Sequence, residues 1–481
     1  MLLRNARIAG ADAPVDLQVV DGVIVHVGEA SGAAGGETVD LEGRWVSPGL
    51  WDNHVHFSQY ALVQQRLDLA GAASAQETAT LVASALSRTR VPVSPFVGYG
   101  FRDGLWPDAP SVEMLDAATG GMPTVLVSGD LHAVWLNSAA LDLYGFRGHP
   151  TGLLREDPAF DITAQIGNVA DEVLDAWAVD AAKHAASRGV VGVVDLEMNW
   201  NLDTWVRRRA AGADSLRVEF GIYTMHLERA IALGLHTGQV IDELLTVGRY
   251  KVLTDGSLNT RTAYCYDEFP GLEGQPGSRG MLTMPPEKLL PLMRSAAAAG
   301  LESTVHAIGD HANTLALDAF EQIGIGGRIE HAQLVSEADF ARFAALGVEA
   351  SVQPEHAMDD RDIADHHWAG RTDRTFPLRS LLDAGATLVF GSDAPVAPLD
   401  PWVTMAAAVG RSRDGREPWH PEQRLTVAEA MAASVRTSVA AGQPADLVVT
   451  DADPLTSSAD FLRTMPVSAT ILAGRFTHTT L

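Results

Sequence analysis

Apolar and polar positions fall into two rhythms along this chain. From Leu2 to Leu41 they alternate, in LLRNARI, DLQVVDGVIVHVG and TVDLEG, with Gly and Ala-Gly clusters between them. Alternation at period two marks half-buried strands, and the glycine clusters mark tight turns. The same rhythm returns near the end, in ADLVVTDADPL and SATILAGRFTH. Chain ends often lie close together, so these two regions predict one small β-sandwich. Between them, unbroken apolar runs of strand length alternate with Ala-rich helical stretches. The runs are WVSPGLWDNHVH (45–56), VVGVVDL (190–196), VEFGIYT (218–224), YKVLTDGS (250–257), ESTVHAIGD (302–310), RIEHAQLV (328–335), GVEASVQP (347–354) and TLVFGSDAP (387–395). Continuous apolar strands separated by helices predict a parallel sheet covered on both faces. Eight such units predict an α/β chain folded as a (β/α)8 TIM-like barrel. Residues 57–189 exceed what one crossover needs, and they carry strands and a helix of their own (PVSPFVGYG, PTVLVSG, NSAALDLYGF). We expect a sandwich domain from residues 1–47 with 436–481, and a barrel from 48–435. A subdomain at about 62–170 is expected to be inserted after strand one, on the side where barrel active sites form.

Composition narrows the functions. A hydrophobic share of 46% supplies a large core, and the net charge of −26 argues against nucleic acid or an anionic membrane surface as partner. No run of about 18 uncharged apolar residues suggests a membrane span. The opening MLLRNARIAGADAP reads as the start of a folded domain, not a signal peptide. Cys265 is the sole cysteine, which excludes an intrachain disulfide and fits a cytoplasmic protein. Basic residues are almost all arginine; the lysines are Lys183, Lys251 and Lys288. Lys183 and Lys288 fall in helical stretches as solvated charges, whereas Lys251 falls in a strand.

Barrel chemistry sits at the C-terminal ends of the strands. Strand one ends in His54-Val55-His56, and residues i and i+2 of a strand point the same way, so both imidazoles can face one ion. Strand four carries Lys251, strand five ends in His306, strand six in His331 and strand eight in Asp393. Each alone is an ordinary polar residue. Together they place a group of ligand type on each of five strands.

The segments SPGLWDNHVHF, DLHAVWLNSAAL, GLLREDP, YKVLTDGSLNTRTAY, VHAIGDHAN, RIEHAQLV, SVQPEH, FGSDAPVAPLDP and LTVAEAMAASV with GQPADLVVTDADP resemble the amidohydrolase superfamily. Within it the chain is similar to amidohydrolase family 3, the branch of N-substituted formamide deformylases. Two departures are small: DLH stands for the usual DGH before the helix of the insertion, and DNHVH for DAHVH at the opening. The resemblance implies one or two divalent ions, most simply Zn²⁺, held by His54, His56, Lys251, His306, His331 and Asp393. His54, His56 and Asp393 would hold the first ion and His306 with His331 the second, with an N6-carboxylated Lys251 bridging them. Burial and a neighbouring ion favour a neutral lysine amine, which CO₂ converts to a two-oxygen anion; arginine stays protonated and cannot follow. The implied reaction is attack of metal-bound hydroxide on a C–N bond of an amide, N-acyl or N-formyl substrate, with Asp393 as general base and then acid. His132, Asn137, Arg261 and Thr262 would contact substrate. Asn137 also reads as a helix N-cap, and Arg261 as a structural ion-pair partner. The implied partners are a small amide-type molecule and a second copy of the chain in a homodimer. A deaminase of the same superfamily and an inactive scaffold stand as alternatives. Lys251 argues against the first, and the complete set of six ligand types against the second.

Overall fold

The structure is a computed structural model that describes residues 1–9, 11, 13–29, 37–88, 94–101, 103, 106–129, 133–155 and 157–481. The chain divides into two compact units, residues 1–57 with 179–481, and residues 58–178.

The larger unit contains eight parallel strands. They are β1 (Leu50–Val55), β2 (Val190–Asp195), β3 (Arg217–Tyr223), β4 (Leu245–Leu253), β5 (Ser303–Ala307), β6 (Gly327–His331), β7 (Val348–Val352) and β8 (Leu388–Phe390). They pair in sequence order from β1 to β8. Every residue of β1, β2 and β6 is buried; β2, VVGVVD, reads as a continuous apolar run, whereas β1 and β6 also bury Asp52, Asn53, His54, Arg328, Glu330 and His331. The ring closes between β8 and β1. Asn53 Nδ2 donates to the Phe390 carbonyl at 3.0 Å, Asp393 N to His54 O at 2.7 Å and His56 N to Ala394 O at 2.8 Å. The chain is a (β/α)8 barrel, as its rhythm predicts.

Below the strand ends, the lumen is ionic rather than apolar. Arg249 reaches Glu219, Glu302 and Glu349; Arg328 pairs with Glu349 at 2.8 Å and Arg436 with Glu219 at 2.7 Å. These charges neutralise one another and plug the N-terminal end of the barrel.

Several strand boundaries differ from the sequence reading; strand eight, for one, stops at Phe390, three residues short of Asp393. The run 45–56 is two strands, not one. Trp45–Pro48 pairs with Leu447–Thr450 in a terminal sheet, and the chain crosses to β1 at Gly49. A Cβ at Gly49 would lie 2.3 Å from Val191 Cγ1, so only glycine permits the crossing. Strand β4 begins five residues earlier than its apolar run suggests, because Arg249 points into the ionic plug.

The two ends of the chain form two four-stranded sheets, one of strands 2–6, 15–20, 23–28 and 38–40, the other of 45–48, 447–450, 467–472 and 475–479. Leu3, Leu17, Ile24, Val46, Leu447 and Ile471 pack in one cluster between them. Arg217 and Asp446 tie this sandwich to the barrel through two hydrogen bonds of 2.7 and 3.1 Å.

The smaller unit follows β1 and holds a five-stranded sheet in the order 153–155, 133–136, 124–128, 96–101, 67–68. Val125, Val127, Val134 and Leu136 line one of its clusters, and Leu126, Trp135 and Phe101 another. No described helix is long and apolar enough to cross a membrane.

Candidate metal centre

The six ligand-type residues meet at the C-terminal end of the barrel. His54, near the end of β1, sets its Nε2 3.4 Å from Asp393 Oδ1, and His56 sets its Nε2 3.3 Å from the same oxygen. The rings of His54 and His331 lie 5.1 Å apart, and those of His306 and His331 4.5 Å apart. Lys251 is buried among them, and its charge is felt by His54, His56, His306 and His331.

Two of the ligands reach the site through unusual backbone. Alternation in β6 turns Glu330 to the lumen and would turn His331 outward to the helices. His331 has φ +74°, a left-handed conformation rarely adopted by a side-chain-bearing residue, and so both face the site. Asp393 has φ +58° and sits three residues beyond β8, with its amide bonded to His54 O.

Glu330 is the residue that the strand-end reading misses. Its Oε2 lies 2.7 Å from His54 Nδ1, and its Oε1 accepts from Thr304 Oγ1 at 2.6 Å. A carboxylate on Nδ1 fixes the tautomer that leaves Nε2 free to bind an ion. The glutamate was in plain view in RIEH; the missing signal was the reversed backbone after it. Asp52 and Asp255 perform similar work on the main chain. Asp52 Oδ1 accepts from His54 N and Ser392 N, stitching β1 to the segment after β8. Asp255 accepts from Tyr264 N, Ile308 N and Gly309 N, and lies 3.4 Å from His306 Nε2. Burial pushes both carboxyls up to about 7. Gln353 and His356, just past β7, also face the cluster: Gln353 Nε2 is 3.5 Å from His54 Nδ1, and His356 Nε2 is 3.9 Å from Asp393 Oδ2.

The charges suit a cation. Burial lowers the pKa of His54, takes His306 down to about 3 and puts His331 well below the usual imidazole value, so these rings stand neutral. Neutral imidazole is the form that binds metal. Burial lowers the Lys251 ammonium to about 8 despite Glu330 and Asp393 nearby. For Asp393 burial favours the acid, but His54, the hydrogen bond from His56 and His331 together hold it well below the usual carboxylate range.

The donor set fits an ion. Among the described residues, His56 Nδ1, Lys251 Nζ, His331 Nδ1 and His356 Nε2 are buried and lack a hydrogen-bond partner. Each such atom costs about 1–3 kcal/mol when nothing satisfies it. Of these, His356 Nε2 faces Asp393, and ligand atoms of His54, His56 and Asp393 lie within 4.8 Å of one another, close enough to share one ion.

Residues 37–478 match the amidohydrolase family. The chain belongs to that family. Its similarity extends to the protein LONG AFTER FAR-RED 3 of Arabidopsis thaliana, at 29% identity over 90% of this chain and 82% of the relative. The N-substituted formamide deformylase of Arthrobacter pascens is 26% identical over 98% and 97%. A metal-dependent hydrolase from Pyrococcus horikoshii OT3 superposes with a TM-score of 0.80 and 26% identity, covering 95% of this chain and 99% of that one. This amidohydrolase accordingly has the fold and the His/Asp groupings of a metal-dependent hydrolase.

The expected substrate contacts fare differently. Asn137 is fully engaged within the smaller unit. Its Oδ1 accepts from Thr124 N and Ala140 N, and its Nδ2 donates to Thr119 Oγ1 and Met122 O. Its side chain caps the helix Ser138–Leu143 and has no valence left for a substrate. Thr262 shapes the loop after β4: its Oγ1 accepts from Ser257 N and meets Thr260 Oγ1 at 2.6 Å. Arg261 is half-buried in that loop with φ +56°, within electrostatic reach of His367. His132 lies outside the described residues.

Proposed function

We propose that this amidohydrolase cleaves a carbon–nitrogen bond in an amide-type substrate, an N-acyl or N-formyl amine, as a cytoplasmic enzyme. The observation that carries the reading is Asp393, a buried carboxylate held in its ionised form beside His54 and His56 at the C-terminal end of the barrel strands. His54 and His56 would share one ion with Asp393, and His306 and His331 would hold another near Lys251. Zn²⁺ suits this mixture of nitrogen and oxygen donors. Such ions supply an activated water and draw electrons from a carbonyl oxygen. Asp393 accepts the proton of the attacking water at its carboxylate and returns it to the leaving nitrogen. Glu330 keeps the His54 Nδ1–H in place, so the Nε2 lone pair points to the site throughout. Lys251, buried and lowered to about 8, has an amine fraction near neutrality available for carboxylation.

The test is a screen of N-acyl amino acids, N-formyl amines and cyclic amides against zinc-loaded protein, reading free amine and, separately, ammonia. Amine release that disappears on chelation and returns with Zn²⁺ supports the reading. Ammonia release from ring amines, without amide cleavage, would replace it with deamination.

A further inference from the structure

His356 has no part in the ligand pattern that the chain's motifs supply, yet it is built into the site. It opens the helix His356–His367 that follows β7 and is only 7% exposed. Its Nε2 is buried without a hydrogen-bond partner and lies 3.9 Å from Asp393 Oδ2. Its ring is nearly parallel to that of His331, with an interplanar angle of 18° and centroids 6.4 Å apart. Ligand atoms of His331, His356 and Asp393 all lie within 4.8 Å of one another. Asp360, one helical turn further on, carries a carboxylate whose charge faces His356 and whose Oδ2 is held by Gln333 at 3.1 Å.

Asp393 thus divides its two oxygens. Oδ1 faces the His54 and His56 pair, and Oδ2 faces His356. His306, by contrast, points its Nε2 at Gly256 O, 3.3 Å away. Among the described residues no group hydrogen-bonds to this buried nitrogen, and a ligand at that point would remove its desolvation cost.

We propose that His356 is a further ligand of the second divalent-ion position set out above, joining His331 there and facing Asp393 Oδ2, so that Asp393 lies between the two positions. The proposal rests on the metal-dependent reading above, and the experiment separates the two. Chelator-stripped protein is titrated with Co²⁺ alone, following equivalents bound, affinity and the visible absorption of each equivalent. Wild type is expected to bind two equivalents. His356→Ala and His356→Gln are expected to retain the first and to bind the second at least about 10-fold more weakly with an altered spectrum. Wild type that binds no ion defeats the metal-dependent reading itself. A single equivalent in wild type, or two equivalents of unchanged affinity and spectrum in both variants, overturns only the role of His356. Should both variants fail to fold, Co²⁺-soaked wild-type crystals decide by anomalous scattering. A peak about 2.0–2.2 Å from His356 Nε2 supports the proposal, and an occupied first position without that peak overturns it.

Discussion

A single proton on a single ring nitrogen determines whether His54 can bind an ion. Glu330 holds that proton on Nδ1 at 2.7 Å, so its loss is felt at the metal rather than in the fold. Glu330→Ala is expected to weaken Zn²⁺ binding by about 10–100-fold, measured by competition with a chromophoric chelator. Unchanged affinity would remove Glu330 from the site. Lys251 makes the opposite kind of demand, for a side chain that can shed its charge. Lys251→Arg, always protonated, is expected to lose the ions and turnover. Lys251→Ala should lose both as well, and recover part with a short carboxylic acid and bicarbonate. Full turnover in Lys251→Arg would sink the bridging role. Asp393→Asn is expected to keep much of the metal while kcat falls at least about 100-fold, since the amide cannot carry the proton.

At the scale of the element, close approach of backbones is the governing constraint. A Cβ at Gly391 would stand 2.6 Å from His54 Cβ and 2.7 Å from its backbone nitrogen. Gly391→Ala is therefore expected to force β8 away from β1, destabilise the protein by about 1–3 kcal/mol in denaturant melts, and weaken metal binding through displacement of both His54 and Asp393. Strands and helices like these were legible in the sequence because burial on both faces leaves long apolar runs. The histidines of β1 and β5 and the lysine of β4 were legible as well, since polar residues stand out in such runs. Glu330 and His356 were not. A period-two reading gives one face to each residue, and a left-handed φ at His331 breaks that rule without any mark in the residue types. His356 lies beyond a strand that offered no other ligand. Asn137 read as a helix cap first and a substrate contact second, because an amide serves either; its four hydrogen bonds hold it in the cap.

Across the larger unit, the sandwich and barrel share buried charge. Asp446 is almost wholly buried and accepts from Arg217 and from Ala473 N. Asp446→Ala removes the carboxylate from the Arg217 guanidinium, which keeps its bond to Glu243 O, and a loss of about 1–3 kcal/mol in unfolding free energy is expected. Cys265 reports on the same unit from within the cluster of Phe269, Trp368 and Trp419. Burial, with Asp310 nearby, pushes its thiol up to about 12, so it stays protonated well above neutrality. A thiol reagent at pH 8 should label it only as fast as the protein opens, and rapid labelling of the native state would contradict this burial. The last stave of the barrel, 388–390, is the shortest, and the join after it runs through the carbonyl of His54 and the N–H groups of His56 and Asp393. The backbone that closes the ring is thus the backbone that carries three of the ligand-type side chains, so a substitution that loosens this seam is expected to disturb their arrangement as well.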